Sequence, residues 1–321
     1  MAHPIHRFNF EVFMSRSIAQ RLAAPCVAVL LAVLPVLSQA QQTRFPSADA
    51  AAAAFVEAIA TSNGNAVRAI LGADYSKVMP LDDMTPDDKL DFLSAWAESH
   101  RVVPQGDNKA VLEVGKTNWT LPIPMVKGQG GWVFDTRAGA DELITRRIGR
   151  NELSAMEAVL AYFDAQKDYA RKERQPGMGL VYAQKFFSTP GKKDGLYWET
   201  AAGEQPSPLG PAYRAAASPD GAYHGYYFRI LTGQGKNANG AAYDYRIKGR
   251  MSAGFALIAW PEQFGKTGIM SFMVNHDGVV FQKNLGPGGD AVARGMQRFD
   301  HDGGWQAVVP ASAMAAGGAT K

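Results

Sequence analysis

The sequence predicts an α+β fold, and three observations carry that prediction. Capped stretches of helical period fill the chain between Ser47 and Trp96, strand-like alternation replaces them from Ala110, and a long amphipathic stretch after Gly149 precedes several short apolar runs separated by turn residues. Helices and strands are segregated rather than alternating, which argues for antiparallel sheets with helices packed on them.

Taken in order, Ser47 caps a helix through Phe55, Ala58 and Ile59 that ends at Ser62-Asn63-Gly64. A second helix carries Val67, Ile70 and Leu71 and stops at Gly72. The third begins with Thr85 as cap, Pro86 in the first helical position and Asp87 and Asp88 at the positive helix end. That start accounts for half of the acidic cluster Asp82, Asp83, Asp87, Asp88, which has no calcium-loop glutamate after it. Val111–Val114, Trp119–Val126 and Trp132–Phe134 read as strands; Pro122 and Pro124 donate no ladder bonds and place the second at an edge or bulge. The first α+β domain is assigned to residues 44–136, and a helical connector to 137–150. A longer helix then presents Leu153, Met156, Leu160 and Phe163 to a core. Residues 172–222 are rich in glycine, proline and charge and read as a long ordered loop. Strands follow at 226–231, 243–248, 255–260, 269–274 and 279–282, the last two joined by the turn Asn275-His276-Asp277-Gly278. The second domain is assigned to 151–308, and the Ala/Gly-rich tail 309–321 is expected to be disordered.

The first forty residues read as a secretory signal peptide. Arg16 and Arg21 precede the apolar run Val27–Leu37, and Ser38-Gln39-Ala40 supplies small residues for cleavage after Ala40. A membrane-spanning helix needs about 20 apolar residues, and Pro25 and Pro35 interrupt this shorter run. Met14, followed by Ser15-Arg16-Ser17, offers a second possible start. The expected destination is the bacterial periplasm or the exterior, with no stable membrane anchor after cleavage. The only cysteine, Cys26, leaves with the leader, so the mature chain has neither disulfide nor cysteine nucleophile. The whole chain carries a formal +3, but the leader holds three arginines against Glu11 and the remainder is nearly neutral. Nucleic acid is therefore not an expected partner.

Familiar chemistry fails on spacing. Gly265-Lys266-Thr267 lacks the upstream glycine of a phosphate loop, position 260 being Trp, and Gly233-Gln234-Gly235 lacks the third glycine of a dinucleotide turn. His100, His224, His276 and His301 form no zinc-binding helix pair, and the turns Asn275–Gly278 and Asp300–Gly303 read as hairpin geometry rather than metal sites. Neither Gly-x-Ser-x-Gly nor Ser-x-x-Lys occurs. No cofactor, metal or catalytic residue is assigned. Glu199 and Glu204 are the first acids to test should the protein be a hydrolase.

Eight of the eleven tyrosines fall between Tyr182 and Tyr245. Tyrosine combines an apolar face with a polar tip and suits glycan or peptide surfaces, although strands and long loops also use it for packing. The binding residues expected on this ground are Tyr182, Tyr197, Trp198, Tyr213, His224 and Tyr226. The leading reading is a non-catalytic binding or assembly module for an envelope protein or glycan. An envelope hydrolase with dispersed carboxylates and a structural spacer remain as alternatives.

Two stretches carry a family resemblance. Gly131-Trp132-Val133-Phe134-Asp135-Thr136 with Arg146–Leu153, and Tyr182–Lys185 with Ser188–Trp198, resemble the exported bacterial family called domain of unknown function 2950. That resemblance implies an envelope location and brings no activity or site residues. Gly225–Arg229, Phe255–Pro261, Thr267-Gly268, Ser271–Val274 and Asp277–Val280, after one helix and a long loop, resemble the globular head of type IV pilins and pseudopilins. The resemblance implies a helix packed on an antiparallel meander. Asp141, Glu142, Arg146 and Arg147 are incompatible with the apolar half-helix of a filament subunit.

Overall fold

The computed structural model describes residues 42–79, 84–201, 203–210 and 221–308. The leader, Asp82, Asp83, Tyr213 and the tail 309–321 lie outside the described residues. The chain divides into two compact units, one ending at Thr145 and one beginning at Arg146, and its class is α+β.

The first unit opens with α1 (Ala48–Ala60), whose cap Ser47 accepts the Ala50 N–H at 3.0 Å. Helix α2 (Gly64–Leu71), a single 3-10 turn at Tyr75–Lys77 and α3 (Pro86–Glu98) follow. Thr85 and Asp88 form a reciprocal capping box at the start of α3, the device its sequence predicts. The sheet comprises β1 (His100–Pro104), β2 (Lys109–Val114), β3 (Trp119–Thr120), β4 (Met125–Gly128) and β5 (Gly131–Phe134). Its order is β1-β2-β4-β5, with β3 also on β2 and every pairing antiparallel. The single strand expected over 119–126 is two, because Pro122 and Pro124 lack the N–H groups a ladder needs and Leu121 and Ile123 turn into the core instead. Phe55 binds the helices to the sheet, its ring 6.2 Å from Phe92 and 5.3 Å from Phe134.

Residues Gln42–Phe45 are stitched to this unit. Phe45 and Trp132 exchange backbone bonds of 2.9 and 2.8 Å at the outer edge of β5, and Thr43 N–H donates to Ala69 O. Gln42 Nε2 donates to the carbonyls of Ile70 and Phe134. A Cβ on Gly131 would stand 2.5 Å from Phe45 O, so that close approach requires glycine.

Helix α4 spans Thr136–Tyr169 without a break, where the sequence suggests two helices separated at Gly149. An interior glycine costs about 1 kcal/mol relative to alanine, which the helix tolerates. In the first unit Leu143 joins the core and Gly139 packs on Ile123. In the second unit the buried face is Ala155, Ala158, Val159, Tyr162, Ala165, Gln166 and Tyr169. This corrects the expected Leu153-Met156-Leu160-Phe163 face: Leu153 is 59% and Leu160 41% exposed, and Met156 and Phe163 lie only at the core margin. Alanines on the inner face let the helix backbone come close to the sheet, and Tyr162 OH reaches Ala256 O at 3.2 Å.

After the loop, the second unit contains β6 (Tyr226–Leu231), β7 (Gly233–Gln234), β8 (Tyr243–Asp244), β9 (Arg246–Ile247), β10 (Arg250–Met251), β11 (Ala256–Pro261), β12 (Met270–Asn275), β13 (Val280–Asn284), α5 (Gly289–Gly295), β14 (Arg298–Phe299) and β15 (Gln306–Ala307). The main sheet runs β15-β13-β12-β11-β6, all antiparallel, so its strands lie side by side in chain order with β7–β10 inserted after β6. β7 lies between β14 and β8, and β9 pairs with β10. The strand expected over 243–248 breaks at Tyr245, whose ring is fully buried. The described parts of the loop region form no regular element, yet Val181, Ala183, Leu196, Trp198 and Leu209 enter the core. Gln166 holds the loop to α4: its amide accepts the Ala183 N–H and donates to Ala183 O, both at 2.8 Å, and also donates to Tyr162 OH. Among the described residues no helix is long and apolar enough to cross a membrane.

Candidate functional site

The structure separates the expected binding residues. Tyr226 is wholly buried and donates to Met270 O at 2.9 Å, and burial pushes its hydroxyl pKa far up. It is a core residue, which corrects its assignment to a binding surface. Trp198 is only 8% exposed, with the Arg174 guanidinium and the Lys193 ammonium each 5.5 Å from its ring centroid. Its Nε1 is buried without a hydrogen-bond partner. Tyr197 is half-buried against Phe187, and His224 is exposed in a turn against Tyr223. Tyr182 is half-buried with its ring on Phe255, 4.8 Å away. Much of the tyrosine density therefore serves packing; Tyr162, Tyr169, Tyr226 and Tyr245 rank among the largest fully buried side chains.

One group nevertheless gathers at the mouth of the β12–β13 hairpin. The turn forms as the sequence predicts, with Gly278 N–H donating to Asn275 O and Gly278 at φ +83°. Its histidine, His276, lies beside Tyr243, Tyr245 and Phe255, with the Tyr245 ring edge-on at 5.4 Å. His276 Nε2 is 3.3 Å from Tyr243 OH and 3.9 Å from Asp277 Oδ1. His276 Nδ1 is buried without a hydrogen-bond partner, and a Cβ on Gly254 would stand 2.8 Å from it. Asp277 Oδ2 accepts from Asn239 and Asn275 at 3.2 and 3.1 Å. Beneath them Gln234, fully buried, accepts from Tyr245 OH at 3.0 Å and donates to the carbonyls of Asn239 and Ala241. Partial burial, then the charge of Asp277, raises the pKa of Tyr243.

This arrangement is poor for nucleophilic catalysis. A histidine base needs its orienting carboxylate on the nitrogen opposite the nucleophile. Here Tyr243 and Asp277 both face Nε2, while Nδ1 is closed off beside Gly254. What remains accessible is a half-buried ring, an imidazole edge, a carboxylate and the Asn239 amide, all fixed from below. The sequence marks Asn275–Gly278 as a turn and Tyr243 as aromatic; it carries no signal that they meet, because β7–β10 bring them together through long-range pairing.

The other singled-out residues lie elsewhere. Asp302 pairs with Lys283 at 3.0 Å, His301 stacks on Phe281, and Asp300 accepts the Asn237 N–H. Gly265–Thr267 is a closed turn, with Gly265 N–H donating to Gly268 O. Glu199 and Glu204 are exposed, and Glu204 accepts the Ala201 N–H. Among the described residues no group of three or more histidine, cysteine or acidic side chains is placed to hold a metal ion.

The second stretch carrying the family resemblance contains a polar clasp. Asp194 accepts from Lys185 Nζ, Thr189 N and Thr189 Oγ1 at 2.7, 2.7 and 2.9 Å. Partial burial alone would raise its carboxyl pKa, but the bonds from Lys185 and Thr189 outweigh it and hold the value at about 2. A depressed carboxyl stabilises the fold fully above its unfolded value, near 4, and loses that contribution as pH falls through about 2. Asp194→Asn should cost about 2 kcal/mol at neutral pH. Urea titrations of the two proteins should converge between pH 4 and pH 2.

No curated protein and no solved structure matches the chain, and the expected resemblance of its second half to pilin heads is not confirmed. The family model described as protein of unknown function (DUF2950) matches residues 42–308, and the chain belongs to that family.

Proposed function

We propose that this is an exported envelope protein, its leader removed after Ala40, whose second unit is a non-catalytic binding module for glycan chains. The observation that carries the reading is the cluster at the β12–β13 turn: half-buried Tyr243 beside His276, half-buried Tyr182 on the neighbouring Phe255 ring, and exposed Asp277 and Asn239 around them. A flat aromatic face flanked by planar amide and carboxylate groups suits a sugar ring, which needs apolar contact and directional hydrogen bonds together. The apolar leader and the cysteine-free remainder support the compartment.

The test is calorimetric titration with soluble envelope glycan fragments. Saturable binding without consumption of the glycan is expected. Asn239→Ala and Tyr243→Ala should each weaken it about tenfold, roughly 1.4 kcal/mol, and Tyr197→Ala should leave it unchanged. Fragment turnover that is lost on replacing Glu199 or Glu204 would mark an envelope hydrolase instead. Neither binding nor turnover would leave a spacer.

A further inference from the structure

We propose that the first unit binds a single-chain amphiphile with an anionic head, such as a long-chain carboxylate, in the groove between α1, α2 and the start of α3. The groove encloses about 530 Å³, within the range of small-molecule sites of roughly 300–1,000 Å³. Its floor is the buried side chains of Ala58, Ile59 and Val67, and its walls are Met84, Pro86, Leu90 and Leu93. Leu90, on the rim, is 63% exposed and extends the apolar wall outward.

The polar lining is sparse and of one sign. Ser62 and Thr85 supply hydroxyls, and among the described residues Lys89 is the sole charged one that lines the groove. Its Nζ donates to Ser62 Oγ at 2.6 Å, and no carboxylate among the described residues pairs with it. The helix-start acid Asp88 is engaged by Thr85 in the capping box. An apolar trough ending at an ammonium with no carboxylate partner among the described residues matches an acyl chain and a carboxylate. A neutral alkane would leave the cation unused, and a cationic amphiphile would be repelled. The concavity argues against a second copy of the chain as occupant, since a stable interface needs about 800 Å² from each partner over a broad face.

Calorimetric titration of the full chain with dodecanoate and with dodecyltrimethylammonium, both below their micellar concentrations, tests this. One saturable dodecanoate site is expected, about tenfold tighter than for the cation. Lys89→Met should abolish that preference by weakening dodecanoate. Leu90→Glu, at an exposed position that leaves the fold intact, should weaken dodecanoate by a similar factor, and unchanged melting profiles would show that neither change acts through unfolding. Absence of saturable binding, equal affinity for both head groups, or indifference to both substitutions would overturn the proposal. So would a concentration-dependent dimer that Leu90→Glu dissolves, because a second copy would then be the occupant.

Discussion

Phe255→Ala should destabilise the second unit by about 3–5 kcal/mol, the usual cost of emptying an aromatic position in a closed core. The ring is 1% exposed and stands where three parts of the unit meet. Tyr162 and Phe163 approach it from α4 at 5.8 Å each, Tyr182 from the loop at 4.8 Å, and His276 from the hairpin turn at 6.3 Å. None of these neighbours can close the void without abandoning its own contacts, so relaxation recovers little of the loss. The urea midpoint should fall accordingly. Leu153→Ala, on the exposed face of α4, should move it by no more than about 0.5 kcal/mol. The same truncation removes the support under Tyr182 and His276, so the proposed glycan binding should fall with it.

Gln166→Leu should cost about 3 kcal/mol although it replaces a polar residue by an apolar one in the core. The amide is fully buried and answers both backbone groups of Ala183 as well as Tyr162 OH. Leucine leaves the Ala183 N–H and carbonyl desolvated and without partners, a heavier penalty than the apolar gain. Hydrogen exchange provides the specific readout: the Ala183 amide, protected in the parent, should exchange with its loop neighbours in the variant, and protease cuts should appear between residues 172 and 201. Unchanged protection of Ala183 would show that the loop is held by its other core residues.

Local chemistry was legible in the sequence and distant pairing was not. Ser47, Thr85 with Pro86, Gly72 and the Asn275–Gly278 turn act through neighbours within a few positions, and each marks the boundary it should. Strand β6 occupies the expected residues. β1 escaped notice because His100-Arg101-Val102-Val103-Pro104 has polar ends and follows α3 after a single residue. The buried face of α4 departs from the hydropathy pattern for an energetic reason. Leucines score highest on hydropathy, yet close approach to a sheet selects alanine, and Tyr162, Gln166 and Tyr169 earn burial through hydrogen bonds that no hydropathy pattern reveals. The candidate site suffers likewise: aromatic density mixes core residues such as Tyr226 with half-buried ones such as Tyr243.

The stitching of Gln42–Phe45 along β5 bears on the timing of maturation. Under the proposed export, the bond after Ala40 stands two positions before a side chain that the folded unit grips through two carbonyls. A peptidase that takes its substrate as an extended strand reaches that bond most readily while Gln42 and Thr43 are still unattached. On that reading, leader removal and closure of the β5 edge would draw on the same residues, Gln42 and Thr43.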